Sequence, residues 1–269
     1  MIQFAPAKIN IGLQVTEKRA DGYHNILSIF YPAPWNDVLE ILPSKDGSDV
    51  FESWGLDIDA AVEDNLCMKT LQLMRKQYAI PAVSMGLLKN IPTGAGLGGG
   101  SSDAAAVVRA LNQEFKLNIQ NEEQERLVLE IGSDCPFFIE RKPKLVSGRG
   151  EILSPTQLSL AEFHIMLVYP NIHVSTKEAY HNIQPKHATF DLGQIHDLPI
   201  SQWKDHVVND FEKGVCELYP EIQKVKDALY DAGADYASMS GSGSAVYGIF
   251  SFPPKIEFNN YLTRSGKLD

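Results

Sequence analysis

Ile91-Pro92-Thr93-Gly94-Ala95-Gly96-Leu97-Gly98-Gly99-Gly100-Ser101-Ser102-Asp103-Ala104-Ala105-Ala106 is the stretch on which the reading of this 269-residue chain turns. Five glycines fall between Gly94 and Gly100, and an alanine-rich segment follows at once. Glycine reaches positive φ and carries no Cβ, so such a run lets backbone amides turn toward a ligand. A helix starting just after it aims its unpaired N-terminal N–H groups and positive dipole end at the same spot. Together these make an anion site, most naturally one for phosphate. A flexible linker is the competing reading, but linkers rarely sit between a strand-like run and a strong helix former.

Outward from the loop, composition narrows the class. Hydrophobic residues at 44% suffice for a core, and 22% charged residues are ordinary for a soluble protein. A formal net charge of −10 argues against nucleic acid as the main partner, because that needs a basic face. A small anion responds to local cations instead and stays allowed. Cys67, Cys135 and Cys216 are too scattered for a disulfide framework or a zinc site. The N-terminus lacks a signal-peptide layout, and no apolar run approaches a membrane span. A cytoplasmic protein is expected.

Lys8 to Val15 alternates as a strand, with Ile9, Ile11, Leu13 and Val15 on one face and Lys8, Asn10 and Gln14 on the other. Arg19 to His24 reads as a turn broken by Asp21-Gly22. Strands are expected at 26–31 and 38–42, separated by Pro32, Pro34 and Asn36, and at 83–88 and 163–169. Helices are expected at 64–78 with Asp64 as cap, and at 102–115, 122–131, 207–216 and 222–232. Pro136 bars helix continuation through Ser133-Asp134-Cys135. Residues 182–206 read as a loop-bearing linker. Residues 237–250 read as β structure interrupted at Ser240-Gly-Ser-Gly-Ser244.

Gly94-x-Gly96-x-x-Gly99 formally fits the dinucleotide fingerprint, yet it lies mid-chain after Pro92 and continues with polar residues where helix–sheet packing is wanted. No Walker A ending is present, and Ser201-x-x-Lys204 lacks its partner motifs. Pro92-x-x-Gly-x-Gly-Leu-Gly-Gly-Gly-Ser-Ser-Asp-Ala-Ala instead resembles the phosphate loop of the GHMP kinases, the galactokinase, homoserine kinase and mevalonate kinase superfamily. Pro6-Ala-Lys8-Ile-Asn10, Arg19-Ala-Asp-Gly-Tyr23-His24 and Ile131-Gly-Ser-Asp134-Cys-Pro extend the resemblance. So do Gly148-Arg-Gly-Glu, Pro170 to Thr176, Asn209-Asp-Phe-Glu and the late glycine motif. The order resembles the branch of the non-mevalonate isoprenoid route whose acceptor is a cytidine diphosphate derivative of methylerythritol.

The resemblance implies an α+β, two-domain fold: an ATP-binding, ribosomal-S5-like N-terminal domain (1–152) and a ferredoxin-like, substrate-side C-terminal domain (153–269). It implies Asp134 as general base and Lys8 as the cation that keeps it ionised. Without it, a turn cap and a solvated strand face would be the plain readings of these two. Pro92, Gly94, Gly96, Leu97, Gly98, Gly99, Gly100, Ser101 and Ser102 would cradle ATP, with Asn65 in the adenine pocket and Lys89 as a nearby cation. Asn10 and Thr176 match positions that hold the acceptor's hydroxyls. Tyr23 and His24 match a cytosine clamp, and Tyr180 a second aromatic. Arg149, where an apolar residue is usual, is assigned to the cytidine or its diphosphate. Mg2+ is implied with ATP; Ser102 and then Asp103 are the protein oxygens the loop offers it, and no ligand set follows. Another GHMP kinase is the nearest rival, set aside by Tyr23-His24. A catalytically silent binder is the other, set aside by Lys8 with Asp134.

Overall fold

A computed structural model describes residues 1–58, 61–181 and 183–269. The element order is β1 (Ile2–Lys18), β2 (His24–Pro43), β3 (Val50–Gly55), α1 (Leu66–Arg75), β4 (Val83–Lys89), α2 (Gly99–Glu114), α3 (Asn121–Leu129) and α4 (Phe137–Glu140). There follow β5 (Lys144–Ser147), β6 (Ile152–Pro155), β7 (His164–Tyr169), α5 (Thr176–Ala179), α6 (Trp203–His206), α7 (Glu212–Leu218), α8 (Pro220–Asp231), β8 (Tyr236–Met239), β9 (Val246–Phe250) and β10 (Leu262–Lys267). Two compact units emerge. One comprises Met1–Ala7, Trp35–Thr93 and Gly98–Lys142; the other comprises Lys8–Pro34, Gly94–Leu97 and Pro143–Asp269. The expected boundary at 152 follows chain order, whereas compactness interleaves the chain between the units.

In the first unit β4 pairs antiparallel with the second half of β2, from Val38↔Leu88 to Pro43↔Val83, and parallel with β3. Parallel neighbours need a crossover, and α1 lies in the one between β3 and β4. Asn65, not Asp64, caps α1: its side-chain oxygen accepts from the Cys67 amide at 2.8 Å. The expected cap falls in the 3-10 turn Val62–Asp64 just before it. Helix α2 is buried nearly all round, from Ser102 to Val108, and its alanines let neighbouring elements approach closely.

In the second unit β10, β7, β9 and β8 form an antiparallel sheet in that order. Numbered along the chain this is 4-1-3-2, the ferredoxin-like order the resemblance implied. Ile222, Val225 and Leu229 recur at one-face helical spacing on α8 and join Met166, Val168, Met239, Val246 and Phe250 in one core. The segment between β9 and β10, 251–261, contains no helix, so one of the two helical crossovers of that pattern is absent. The first half of β2 pairs with β5, which pairs with β6.

Several expectations are corrected. β2 runs unbroken through Pro32 and Pro34. The prolines fall between its pairing with β5, which ends at Phe30, and its pairing with β4, which begins at Val38, while β1 pairs with β2 as well. The helix expected at 207–216 begins only at Glu212. Before it the chain is held extended beside β1, with Leu13 donating to Val208 and Asp210 donating to Leu13. The linker expected at 182–206, whose first residue lies outside the described residues, carries core. Trp203 is fully buried, packs edge-on against Tyr236 at 5.5 Å and donates its indole N–H to Leu198.

Trp203→Ala is therefore expected to cost about 3–5 kcal/mol in urea unfolding. A loss under about 1 kcal/mol would return this segment to the status of a linker.

Candidate active site

In the second unit the buried strand β1 brings Lys8 and Asn10 to the segment Gly94–Leu97. The Lys8 amide donates to Leu97 O at 2.9 Å, Ala245 N to Ala95 O at 3.1 Å, and Ser240 Oγ to Gly96 O at 2.9 Å. Three consecutive carbonyls are thus pinned to protein. Gly96 has a φ of +77°, and a Cβ there would fall on the Ser240 carbonyl, so no other residue fits. Lys8 Nζ donates to Asn10 Oδ1 at 2.5 Å and lies 4.5 Å from the Phe30 ring centroid. Asn10 Nδ2 donates to Ser28 Oγ at 2.9 Å, and Ser28 Oγ donates to Gly12 O at 2.5 Å. Tyr247 OH donates to Asn10 O at 2.8 Å, and Ser240 Oγ accepts from Asn10 N at 3.2 Å. Asn10, expected on an acceptor hydroxyl, has both side-chain ends committed inside the protein and orients Lys8.

In the first unit Gly98, at φ +71°, starts α2. The helix opens with Gly99, Gly100 and Ser101, earlier than the sequence suggested. Its first hydrogen bond is Ser102 N to Gly98 O at 2.9 Å, leaving the amides of Gly99, Gly100 and Ser101 without a partner inside the helix. Those N–H groups and the helix dipole are what an anion finds here. Burial pushes the Cys135 thiol, close to Ser101, up to about 12. Ser102 Oγ is buried with no hydrogen-bond partner. Pro92 and Leu97 are buried, Asp134 is half-buried in the turn before α4, and Asn65 is spent on its cap.

Lys89 departs from expectation. It is 3% exposed and bonds two carboxylates, Asp37 and, at 2.9 Å, Asp103. Burial pulls its ammonium down, but Asp103 and Asp37 outweigh that and the net direction is up. Asp103 is driven up to about 7, first by burial, with Asp37 adding and Lys89 opposing. Lys89 is committed to these partners rather than offered to a ligand, and Asp103 is withdrawn as a metal ligand. Asp37, missed in the sequence, also accepts from Asn90 N at 2.6 Å and Ile91 N at 2.8 Å.

In the second unit His24 stacks on Tyr180 with centroids 4.7 Å apart and planes 19° apart, and Tyr180 meets Phe211 edge-on at 4.7 Å. Tyr23 is 58% exposed, with the Arg149 guanidinium 5.1 Å from its centroid. Arg149 also pairs with Glu151 at 3.6 Å. Thr176 is exposed at the start of α5, which Ser175 caps. Ser28, Ser240 and Tyr247 complete the Lys8–Asn10 network; only Ser240 lay in a motif the sequence singled out.

Comparison with known proteins gives the family. A family model for the GHMP kinases N terminal domain matches residues 65–141, and one for GHMP kinases C terminal matches 196–266. A 4-diphosphocytidyl-2-C-methyl-D-erythritol kinase from Cytophaga hutchinsonii is 48% identical over 97% of this chain and 96% of its own. One from Bacteroides fragilis is 46% identical over 95% and 94%. A crystal structure of 4-(cytidine 5'-diphospho)-2C-methyl-D-erythritol kinase superposes with a TM-score of 0.75 at 31% identity, covering 93% of this chain and 90% of that one. A homoserine kinase from Cytophaga hutchinsonii, at 19% identity and a TM-score of 0.62, shares the fold.

Burial lowers the His24 imidazole below 6.5, and Lys18 adds to the shift. A folded value below the unfolded one means that the stabilisation is complete above pH 6.5 and is lost as pH falls through the folded value. NMR titration of the His24 ring is expected to give a midpoint below 6.5. A midpoint at or above 6.5 would contradict the stacked, desolvated placement.

Proposed function

The chain belongs to the GHMP kinase family, and on that premise we propose that it transfers the γ-phosphoryl group of ATP to the 2-hydroxyl of 4-diphosphocytidyl-2-C-methyl-D-erythritol, a step toward isoprenoid precursors by the non-mevalonate route. The observation that carries the acceptor is the aromatic group in the second unit: His24 stacked on Tyr180, with Tyr23 exposed beside Arg149. Homoserine and mevalonate have no nucleobase for such a group to hold. The cytosine would stack on an aromatic face, while the neutral His24 imidazole hydrogen-bonds its edge.

Asp134 takes the proton of the 2-hydroxyl on a carboxylate oxygen as that hydroxyl oxygen bonds to the γ-phosphorus and the bond to the β,γ-bridging oxygen breaks, releasing ADP. Lys8, its ammonium aimed by Asn10, favours the charged form of the base and of the attacking oxygen. The amides of Gly99, Gly100 and Ser101 bind phosphate oxygens at the start of α2. Mg2+ bound to the phosphates would neutralise their charge. No cluster of three or more His, Cys, Asp or Glu suited to a metal occurs among the described residues, which fits an ion carried in on phosphate. The buried, unpartnered Ser102 hydroxyl is the protein oxygen we assign to it. Thr176 and Arg149 serve the acceptor's hydroxyls and diphosphate. No helix among the described residues is long and apolar enough to cross a membrane, and we place the chain in the cytoplasm.

Two variants test this. Asp134→Asn is expected to bind ATP normally and to lower kcat by ~100-fold or more; unchanged turnover would remove Asp134 as base. His24→Ala is expected to raise KM for the cytidyl substrate on the order of tenfold while leaving KM for ATP in place. Equal effects on both would count against a cytosine clamp.

A further inference from the structure

Three ionisable side chains lie sealed beneath the phosphate-binding helix of the first unit, and the phosphoryl-transfer chemistry proposed above does not use them. Asp37 is fully buried, and Lys89 and Asp103 are each 3% exposed. Lys89 is the last residue of β4, Asp103 lies one turn into α2, and Asp37 is in β2. We infer that Asp37, Lys89 and Asp103 form a brace that fixes both anchors of the phosphate-binding segment, and that Asp37 is a positioning residue for nucleotide binding. The second half of this inference rests on the ATP reading.

The connectivity carries it. Lys89 Nζ reaches Asp37 on one side and Asp103 Oδ2 on the other, so the end of β4 and the start of α2 are tied from inside. The second oxygen of Asp37 accepts from two successive amides, Asn90 and Ile91, at 2.6 and 2.8 Å. Asn90 Nδ2 adds a bond to Asn36 O at 2.9 Å. The chain therefore leaves β4 in one fixed direction and α2 starts from a fixed point, so the phosphate-binding segment is anchored at both ends. Ordering such a loop before the ligand arrives removes an entropic cost from binding.

Gly99 supplies an independent mark of the brace. It is helical rather than left-handed, so backbone freedom does not explain it. A Cβ there would lie 2.9 Å from Lys89 Nζ and 3.0 Å from Ile91 Cγ2. The first turn of α2 lies close against the ammonium, and a larger residue at Gly99 would force Lys89 or Ile91 to shift. The cluster also carries a cost: Asp103 Oδ1 is buried with no hydrogen-bond partner. An apolar trio of equal volume would avoid that cost. What it would lack is direction, since hydrogen bonds fix angles and apolar contacts do not.

Amide hydrogen exchange on the full chain, without nucleotide, tests the brace. Peptides spanning 90–104 are compared with reference peptides from β7 and β9 in wild type, Asp37→Asn and Lys89→Met, and calorimetry gives the affinity for ADP. Asp37→Asn keeps an oxygen for the two amides and nearly the same shape; Lys89→Met serves if it does not fold. The expected result is exchange about 10- to 100-fold faster in 90–104, unchanged reference peptides, and ADP affinity weakened on the order of tenfold. Unchanged exchange in 90–104 overturns the brace, even if wild type binds ADP and the ATP reading stands. A uniform rise in all peptides with ADP affinity intact marks a merely structural ion cluster and overturns it too. Faster exchange confined to 90–104, in a wild-type chain that binds no ADP, upholds the brace while the ATP reading fails.

Discussion

The unpaired amides at the start of α2 are the constraint on which the rest of the chain is arranged. A helix cannot satisfy its own first N–H groups, and here no side chain caps them: Gly98 opens the helix and the next two residues are also glycine. Leaving them uncapped costs stability unless an anion is the intended cap. The surrounding devices make sense on that basis. In the second unit the carbonyls of Ala95, Gly96 and Leu97 are each held by a donor from β1 or from the 240–245 turn. In the first unit Lys89 and its carboxylates hold the helix from below. Both arrangements are buried and polar, and both are nearly fully paired, which is the condition for a polar network to rigidify rather than weaken a core.

The Lys8–Asn10 pair follows the same rule. A lysine 4% exposed needs partners, and Asn10 supplies one while being held at its other end by Ser28 and along its backbone by Ser240 and Tyr247. Asn10 is held at both ends of its side chain, which fixes the oxygen that the Lys8 ammonium bonds. The aromatic group is built differently. His24, Tyr180 and Phe211 pack ring against ring, whereas Tyr23 stays exposed under Arg149, as suits a surface for a guest.

Much of this was legible in the residues. The spacing of Gly94, Gly96 and Gly98 reported backbone that only glycine adopts easily, and all three have positive φ. The alternation of β1 put Lys8 and Asn10 on one face correctly. It also suggested an open face, because alternation does not say whether a second layer covers the polar side; here it does, and Gln14 is likewise tied down, to Phe190 and Thr189. Lys89 was misread from its nearness to the loop, although the signal was present. Val83, Met85, Leu87 and Lys89 share one parity of β4, and that is its buried face. Asp37 left no local trace, since its three partners, Lys89 and the amides of Asn90 and Ile91, all lie at or just past the far end of β4, distant in sequence. Pro32 and Pro34 looked like strand breaks because the residues do not show that β2 changes partner across them, from β5 ending at Phe30 to β4 beginning at Val38.

The central claim is a kinase whose acceptor is recognised through its cytosine. ADP release measured with ATP and equal concentrations of 4-diphosphocytidyl-2-C-methyl-D-erythritol, homoserine or mevalonate, with phosphorus NMR of the product, tests it most directly. The account predicts turnover with the cytidyl compound alone and one new phosphomonoester on the 2-hydroxyl. Comparable turnover with homoserine or mevalonate, or none with the cytidyl compound, would contradict it.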